Sequence, residues 1–154
     1  MITEPKIENR EALPYVAISA QVTISEIPAV LPPLMPEVLN WLQQKNLRPA
    51  GPPFFRYLEM TGKQMQVAVG FPVSEAVRGD DRVQPGSFPA GQYAVVRYQG
   101  PYSNLYQAHT LLKSWTKEHH ILPQGPHAEF YLTDPVLEPN PEKWQTDIVR
   151  MVKS

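Results

Sequence analysis

The sequence predicts an α+β domain. It reads as a tandem, pseudo-two-fold repeat of strand–helix–strand–strand units, giving an antiparallel sheet with helices on one face and a ligand groove between the halves. Three observations predict it. Segment 47–58 recurs as 121–132 at a constant offset of 74, so that Pro49, Gly51, Pro52, Tyr57 and Leu58 return as Pro123, Gly125, Pro126, Tyr131 and Leu132, and Trp41 as Trp115. Upstream, Tyr15-Val-Ala-Ile18 matches Tyr93-Ala-Val-Val96 at an offset of 78, a difference that a small indel would leave. In both halves the apolar residues follow strand period, then helix period, in the same order. The halves are read as about 12–73 and 90–152 of a single domain spanning 1–154, joined by the polar, turn-rich segment 74–86.

Taken in order, Val16, Ile18, Ala20 and Val22 alternate with Tyr15, Ala17, Ser19 and Gln21, which predicts the first strand. Leu31, Met35, Val38 and Leu42 make one helical face, whose start is blurred by Pro32, Pro33 and Pro36. A Gly-Pro turn leads into a strand at 54–59, and Met65, Val67, Val69 and Phe71 mark the next. The second half repeats this with a strand over Tyr93–Tyr98 and a helix carrying Leu105, Ala108, Leu112 and Trp115 on one face. Asn104 and Gln107 read as a capping pair for that helix, and Lys117, His119 and His120 suit its C-terminus. A second Gly-Pro turn precedes a strand at 128–133. A proline-rich loop over 134–143 then leads to the last strand, Asp147–Val152. Trp41 and Trp115 lie on the apolar helix faces and read as core.

Composition narrows the function. Fifteen acids against 14 bases leave a net charge of -1, so there is no excess positive field to attract nucleic acid or a membrane surface. The absence of cysteine removes disulfides, thiolate metal sites and thiol catalysis. The N-terminal residues lack the pattern of a signal peptide, so a cytoplasmic protein is expected. The histidines, His109, His119, His120 and His127, show no metal-ligand spacing. No cofactor and no metal are expected. The Gly-Pro turns lack the amide donors of a phosphate loop, no GxSxG elbow is present, and Arg78–Arg82 reads as a solvated turn that balances its own charges.

Phe88-Pro-Ala-Gly-Gln-Tyr-Ala94, followed by Gln99-Gly-Pro-Tyr102 and a helix ending near Trp115, is similar to the central motifs of the GyrI-like small-molecule-binding domains. Gly125-Pro126, then Glu129-Phe-Tyr131 and Asp134-Pro135, resembles the family's second hallmark. The resemblance runs from about 5 to 152. It implies a tandem of the unit described above with the ligand in the groove between its halves. The family includes gyrase-inhibitory proteins, effector-binding domains of multidrug-responsive activators, and stand-alone proteins, some of which hydrolyse cyclopropanoid genotoxins. About 14 residues precede the first core strand, which leaves no room for a helix-turn-helix. The expectation is a stand-alone effector-binding domain without direct nucleic-acid contact.

Alternation along 128–132 is read as turning Ala128, Phe130 and Leu132 to the helices and His127, Glu129 and Tyr131 to the opposite, groove-lining face. At the offset of 74, Phe55 and Tyr57 take the places of Glu129 and Tyr131. Tyr15 and Tyr93 begin matching strands and are read onto the same face. Five aromatic rings and one carboxylate suit a flat, lipophilic, cationic ligand. The resemblance implies a ligand contact for Glu129 alone; the rings rest on alternation and symmetry. A strand glutamate is more commonly solvated, and a lone tyrosine more commonly structural. Arg56 is a misfit, falling on the helix-facing side with Phe54 and Leu58. Three functions remain open. The favoured one is a module that senses or sequesters lipophilic cationic or planar compounds. The alternatives are a hydrolase of strained electrophiles using Glu129 and a protein-interaction module acting on gyrase or a regulator.

Overall fold

The computed structural model describes residues 1–153. In chain order the elements are β1 (Lys6–Arg10), β2 (Leu13–Thr23), α1 (Ile27–Val30), α2 (Leu34–Gln44), β3 (Phe54–Thr61), β4 (Gln64–Pro72), β5 (Gln84–Phe88), β6 (Gly91–Gln99), α3 (Leu105–Glu118), β7 (Leu122–Tyr131) and β8 (Gln145–Lys153). The protein is α+β, as expected, and its chain forms two compact units. The first is Glu11–Ala90; the second joins Met1–Arg10 to the chain from Gly91 onward. No helix among the described residues is long and apolar enough to cross a membrane.

In the first unit the strands lie in the order β3-β4-β2-β5, all antiparallel. Helix α2 packs on β4 and β2 and buries Leu34, Val38 and Leu42, spaced one helical turn apart. Leu34 takes the place expected for Met35, which is only half-buried. The prolines explain the shift. Leu31, fully buried, sits in the turn ahead of the helix, where its carbonyl accepts from the Leu34 amide at 3.0 Å. Gly70 in β4 lies where a Cβ would stand 2.0 Å from the Val16 carbonyl oxygen, so the close β2–β4 ladder there requires glycine.

The second unit orders its strands β1-β6-β8-β7, again antiparallel. Leu105, Ala108 and Leu112 of α3 pack with Ala94, Val96, Tyr98, Ile148 and Val152, and Trp115 closes the edge of this cluster. Each fully buried leucine of this kind contributes roughly 1.5–3 kcal/mol. Within each unit, β2-α2-β3-β4 or β6-α3-β7-β8 runs strand, helix, strand, strand, and β5 or β1 adds a fourth strand. The pairing registers also correspond: Phe55, Val69 and Ile18 lie side by side in the first unit, and Glu129, Ile148 and Val96 in the second. Both long helices end on a left-handed residue, Asn46 (φ 57°) and His120 (φ 57°). In each case the next amide, Leu47 or Ile121, reaches back to the carbonyl of Leu42 or Thr116 at 2.9 Å.

Several expectations need correction. Strands β1 and β5 were not legible. Both are edge strands, and KIENR and QPGSF carry the charge and proline with which edges discourage further pairing. Gly125-Pro126 is no free turn; it lies within β7 where the register shifts between Pro123 and His127. Asn104 makes no side-chain cap, because a preceding 3₁₀ turn, Tyr102–Asn104, leads directly into α3. Trp41 is not core: it is half-buried and its Nε1 donates to Asp80 Oδ2 at 2.8 Å. Segment 78–82 is likewise tied down, with Arg82 gripping the Glu37 carboxylate of α2.

Thr146 of β8 is fully buried, and its Oγ1 has no hydrogen-bond partner. An orphaned buried hydroxyl costs about 1–3 kcal/mol, whereas valine has the same shape without it. Thr146→Val is therefore expected to raise the urea-unfolding free energy by about 1 kcal/mol. A loss of stability would show that the hydroxyl is bonded in solution.

Candidate functional site

The strand registers decide which face each candidate residue occupies. Directly paired residues share a face, so Glu129 lies with Ile148 and Val96, and Tyr131 with Thr146 and Tyr98. Val96, Tyr98 and Ile148 belong to the cluster under α3. Glu129, Tyr131 and His127 therefore face the helix, and Ala128 and Phe130 face the other side, the reverse of the reading from alternation. The physical reason is that β7 is buried on both faces: Ala128, Glu129 and Phe130 are all enclosed. An apolar pair then no longer marks the helix side.

The same registers separate the tyrosines. Tyr93 pairs with Met151 and Tyr15 with Pro72, each one residue out of step with the face of Ala94 or Val16. Tyr93 is buried, with the Arg10 guanidinium 5.9 Å from its ring centre. Tyr15 packs against Phe54 (4.8 Å) and Phe88 (5.2 Å). Tyr93 therefore does not share a face with Glu129 and Tyr131, nor Tyr15 with Phe55 and Tyr57, which pair with Val69 and Val67. The Arg56 misfit is resolved on the Tyr15 face. Its Nη1 donates to the Tyr15 hydroxyl (3.0 Å) and the Ser87 carbonyl (3.1 Å), and its guanidinium lies 4.6 Å from the Phe88 ring centre.

Glu129 is 6% exposed. One carboxylate oxygen, Oε1, accepts from the Tyr131 hydroxyl at 2.6 Å; the other, Oε2, lies 2.5 Å from Nε2 of His109 on α3. The His109 side chain retains 30% of its accessibility, so the pair has one enclosed and one open member. The His127 ring meets that of His109 edge to face at 5.1 Å. Burial, reinforced by the positive charge of His109 and that of Arg150 and opposed by Glu129, pulls the His127 pKa down to about 4. Beyond Tyr131, Tyr102 packs at 5.6 Å and then Trp144 on Tyr102 at 4.8 Å. Trp144 is fixed by donation from its Nε1 to the Glu138 carbonyl at 2.6 Å. Burial raises the Tyr102 pKa, and the charges of Asp134 and Glu129 add to it. The corner thus combines one enclosed carboxylate, two phenols and an indole with a half-open histidine in direct contact with the carboxylate.

Sequence reasoning places His127 on one face with Glu129 and Tyr131 but does not reach His109, Tyr102 or Trp144 as members of the site. His109 sits one turn after Leu105 and beside Ala108, at the border of the apolar stripe of α3, where a polar side chain can reach the sheet. That border position is the signal the sequence offers; metal-ligand spacing carries no information about it. Elsewhere, a cleft of about 190 Å³ on the first unit is lined by Glu37, Trp41, Asp80 and Arg82, whose polar groups already bond one another.

Comparison with known proteins places this geometry in a family. Among solved structures, the C-terminal domain of EcmrR is similar at a TM-score of 0.82 with 18% identity, covering 97% of each chain. SAV2435, solved bound to tetraphenylphosphonium, is similar at 0.71 with 13% identity over 99% of this chain and 95% of that one. A hydrolase from Listeria innocua is similar at 0.60 with 14% identity over 97% and 92%. At these identities the likeness is one of fold. No curated protein matches the chain. The family model for the GyrI-like small molecule binding domain matches residues 3–153, and the chain belongs to that family.

Proposed function

We propose that this domain senses or sequesters lipophilic, cationic or planar compounds, with the Glu129 carboxylate as their charge partner. The observation that carries the reading is the enclosed carboxylate itself, held by Tyr131 and His109 beside the Tyr102–Trp144 stack. A carboxylate taken out of water favours a cation that brings its own apolar surface, and ring faces add to the attraction. The tetraphenylphosphonium held by SAV2435 is a cation of this class. Phe55 and Tyr57, which hold in the first unit the positions that match Glu129 and Tyr131, are the remaining proposed contacts, to be tested one by one as alanine variants; Tyr15 and Tyr93 face away from their own units' candidates and are set aside. The matched registers also support reading the two halves as copies of one unit.

Isothermal titration with tetraphenylphosphonium and with neutral triphenylphosphine oxide tests the proposal. Glu129→Gln should weaken the phosphonium about 10- to 100-fold, the worth of one charge-assisted contact, and leave the oxide within about twofold. Equal losses for both ligands would remove Glu129 as the charge partner.

A second reading has its own observation in favour. Tyr131 donates to Glu129, and Glu129 contacts His109, so a proton acceptor and donors are already connected. In hydrolysis of a cyclopropanoid electrophile conjugated to a carbonyl, Glu129 would take a proton from water as the water oxygen bonds to the strained ring carbon. The ring C–C bond breaks, its electron pair passes through the conjugated system to the carbonyl oxygen, and Tyr131 would donate a proton there. Turnover of such a compound, lost in Glu129→Gln, would establish this activity.

A further inference from the structure

We propose that His109 is an internal counter-ion for Glu129, which a cationic ligand must displace, so that binding of the cation expels a proton from the site. The inference rests on the cationic-ligand reading and deepens it. With Nε2 and Oε2 2.5 Å apart, an imidazolium at His109 places its charge where a ligand cation would pair. The other groups around the pair do not compete for this role. On β7, His127 is neutral above about pH 4 because burial and the His109 charge depress it, and Tyr131 serves as a hydroxyl donor. Tyr102, ahead of α3, is held protonated by burial and by the charges of Asp134 and Glu129. The basic side chains on the neighbouring positions are Arg150 on β8, which pairs in register with His127, and Lys113, one turn along α3. His109 is thus the group in direct contact with the carboxylate whose charge an incoming cation would have to replace.

The physical consequence is linkage. A ligand that binds only after His109 gives up its proton binds more tightly as pH rises, by up to about tenfold per unit. A neutral ligand of the same shape does not disturb the His109–Glu129 pair and shows no such slope. The site therefore discriminates by charge in a manner that depends on pH.

The test is calorimetric titration of the whole chain with tetraphenylphosphonium between about pH 5.5 and 8, in buffers of different ionisation enthalpy, for wild type and His109→Gln. Glutamine keeps a hydrogen-bond donor at a half-open helix position, and circular dichroism checks the fold. In wild type a proton should be released on binding at the acid end of the range, and affinity should rise with pH. In His109→Gln the release should vanish and the affinity should be flat and higher at acid pH. The ¹⁵N shifts of the His109 ring should also move toward the neutral form on saturation of the wild type. A slope and proton release unchanged in His109→Gln, or no release in wild type, would overturn the proposal while leaving Glu129 as a binding residue. Failure of every variant to bind the phosphonium at any pH would overturn it together with the cationic-ligand reading.

Discussion

Phe54→Ala is expected to cost about 3–5 kcal/mol of folding stability, the range for removing a fully enclosed phenylalanine. Phe54 is 0% exposed and is packed edge-on to Tyr15 at 4.8 Å and to Phe88 at 5.0 Å. These rings come from β3, β2 and β5, so the trio ties three strands of the first unit together. Arg56 rests on two of these rings, Tyr15 and Phe88, and its Nε is buried without a hydrogen-bond partner. Emptying the Phe54 site opens a cavity and also weakens the apolar seat of a guanidinium. For a chain of this size the expected fall in Tm is about 10 °C. Phe54→Leu, which keeps most of the volume, should cost less than half as much. A loss under about 1 kcal/mol for the alanine variant would show that the trio is not a core.

Much of the scaffold was legible in the sequence. The offset of 74 that carries Pro49, Gly51 and Tyr57 onto Pro123, Gly125 and Tyr131 also carries Asn46 onto His120. Those two residues end α2 and α3 in the same left-handed conformation. The long strands β2, β4, β6 and β8 followed from alternation because their apolar residues are frequent enough to show the period. Edge strands β1 and β5 did not, since an edge has no need of an apolar row. Glu129 and Tyr131 were recognised as neighbours on one face, but the side of the sheet was misread. Alternation fixes which residues share a face, not which face the helix covers, and β7 is buried on both. The His109–Glu129 contact joins residues on separate elements, α3 and β7, and only the packing of helix on sheet brings them to 2.5 Å.

Lowering the pH from 7 to 5 is expected to remove about 2 kcal/mol of stability through His127. Its folded pKa is depressed to about 4 from an ordinary 6.5. Between those values the unfolded chain binds the proton and the folded chain does not, so protonation favours unfolding. At pH 7 the ring is neutral in both states and costs nothing. The loss begins near pH 6.5 and is complete at about 3 kcal/mol below pH 4. The carboxylates with depressed pKa act in the same direction but lower on the scale. Glu8 is held down by its bond to Lys6, Glu37 by Arg82 and Asp80 by the Val83 amide, and each starts from an ordinary value of 4.5 or below. These carboxylates therefore lie below the window from about pH 6.5 to 5, and comparison with a His127 variant separates His127 from the other histidines. Urea unfolding of wild type and His127→Gln across that window should give a steep dependence in the first and a shallow one in the second. Parallel slopes would mean that His127 takes up its proton inside the folded protein. The same enclosure that depresses His127 also surrounds the Glu129 carboxylate, so the expected acid lability and the proposed preference for cations share one physical cause, the burial of ionisable groups under α3.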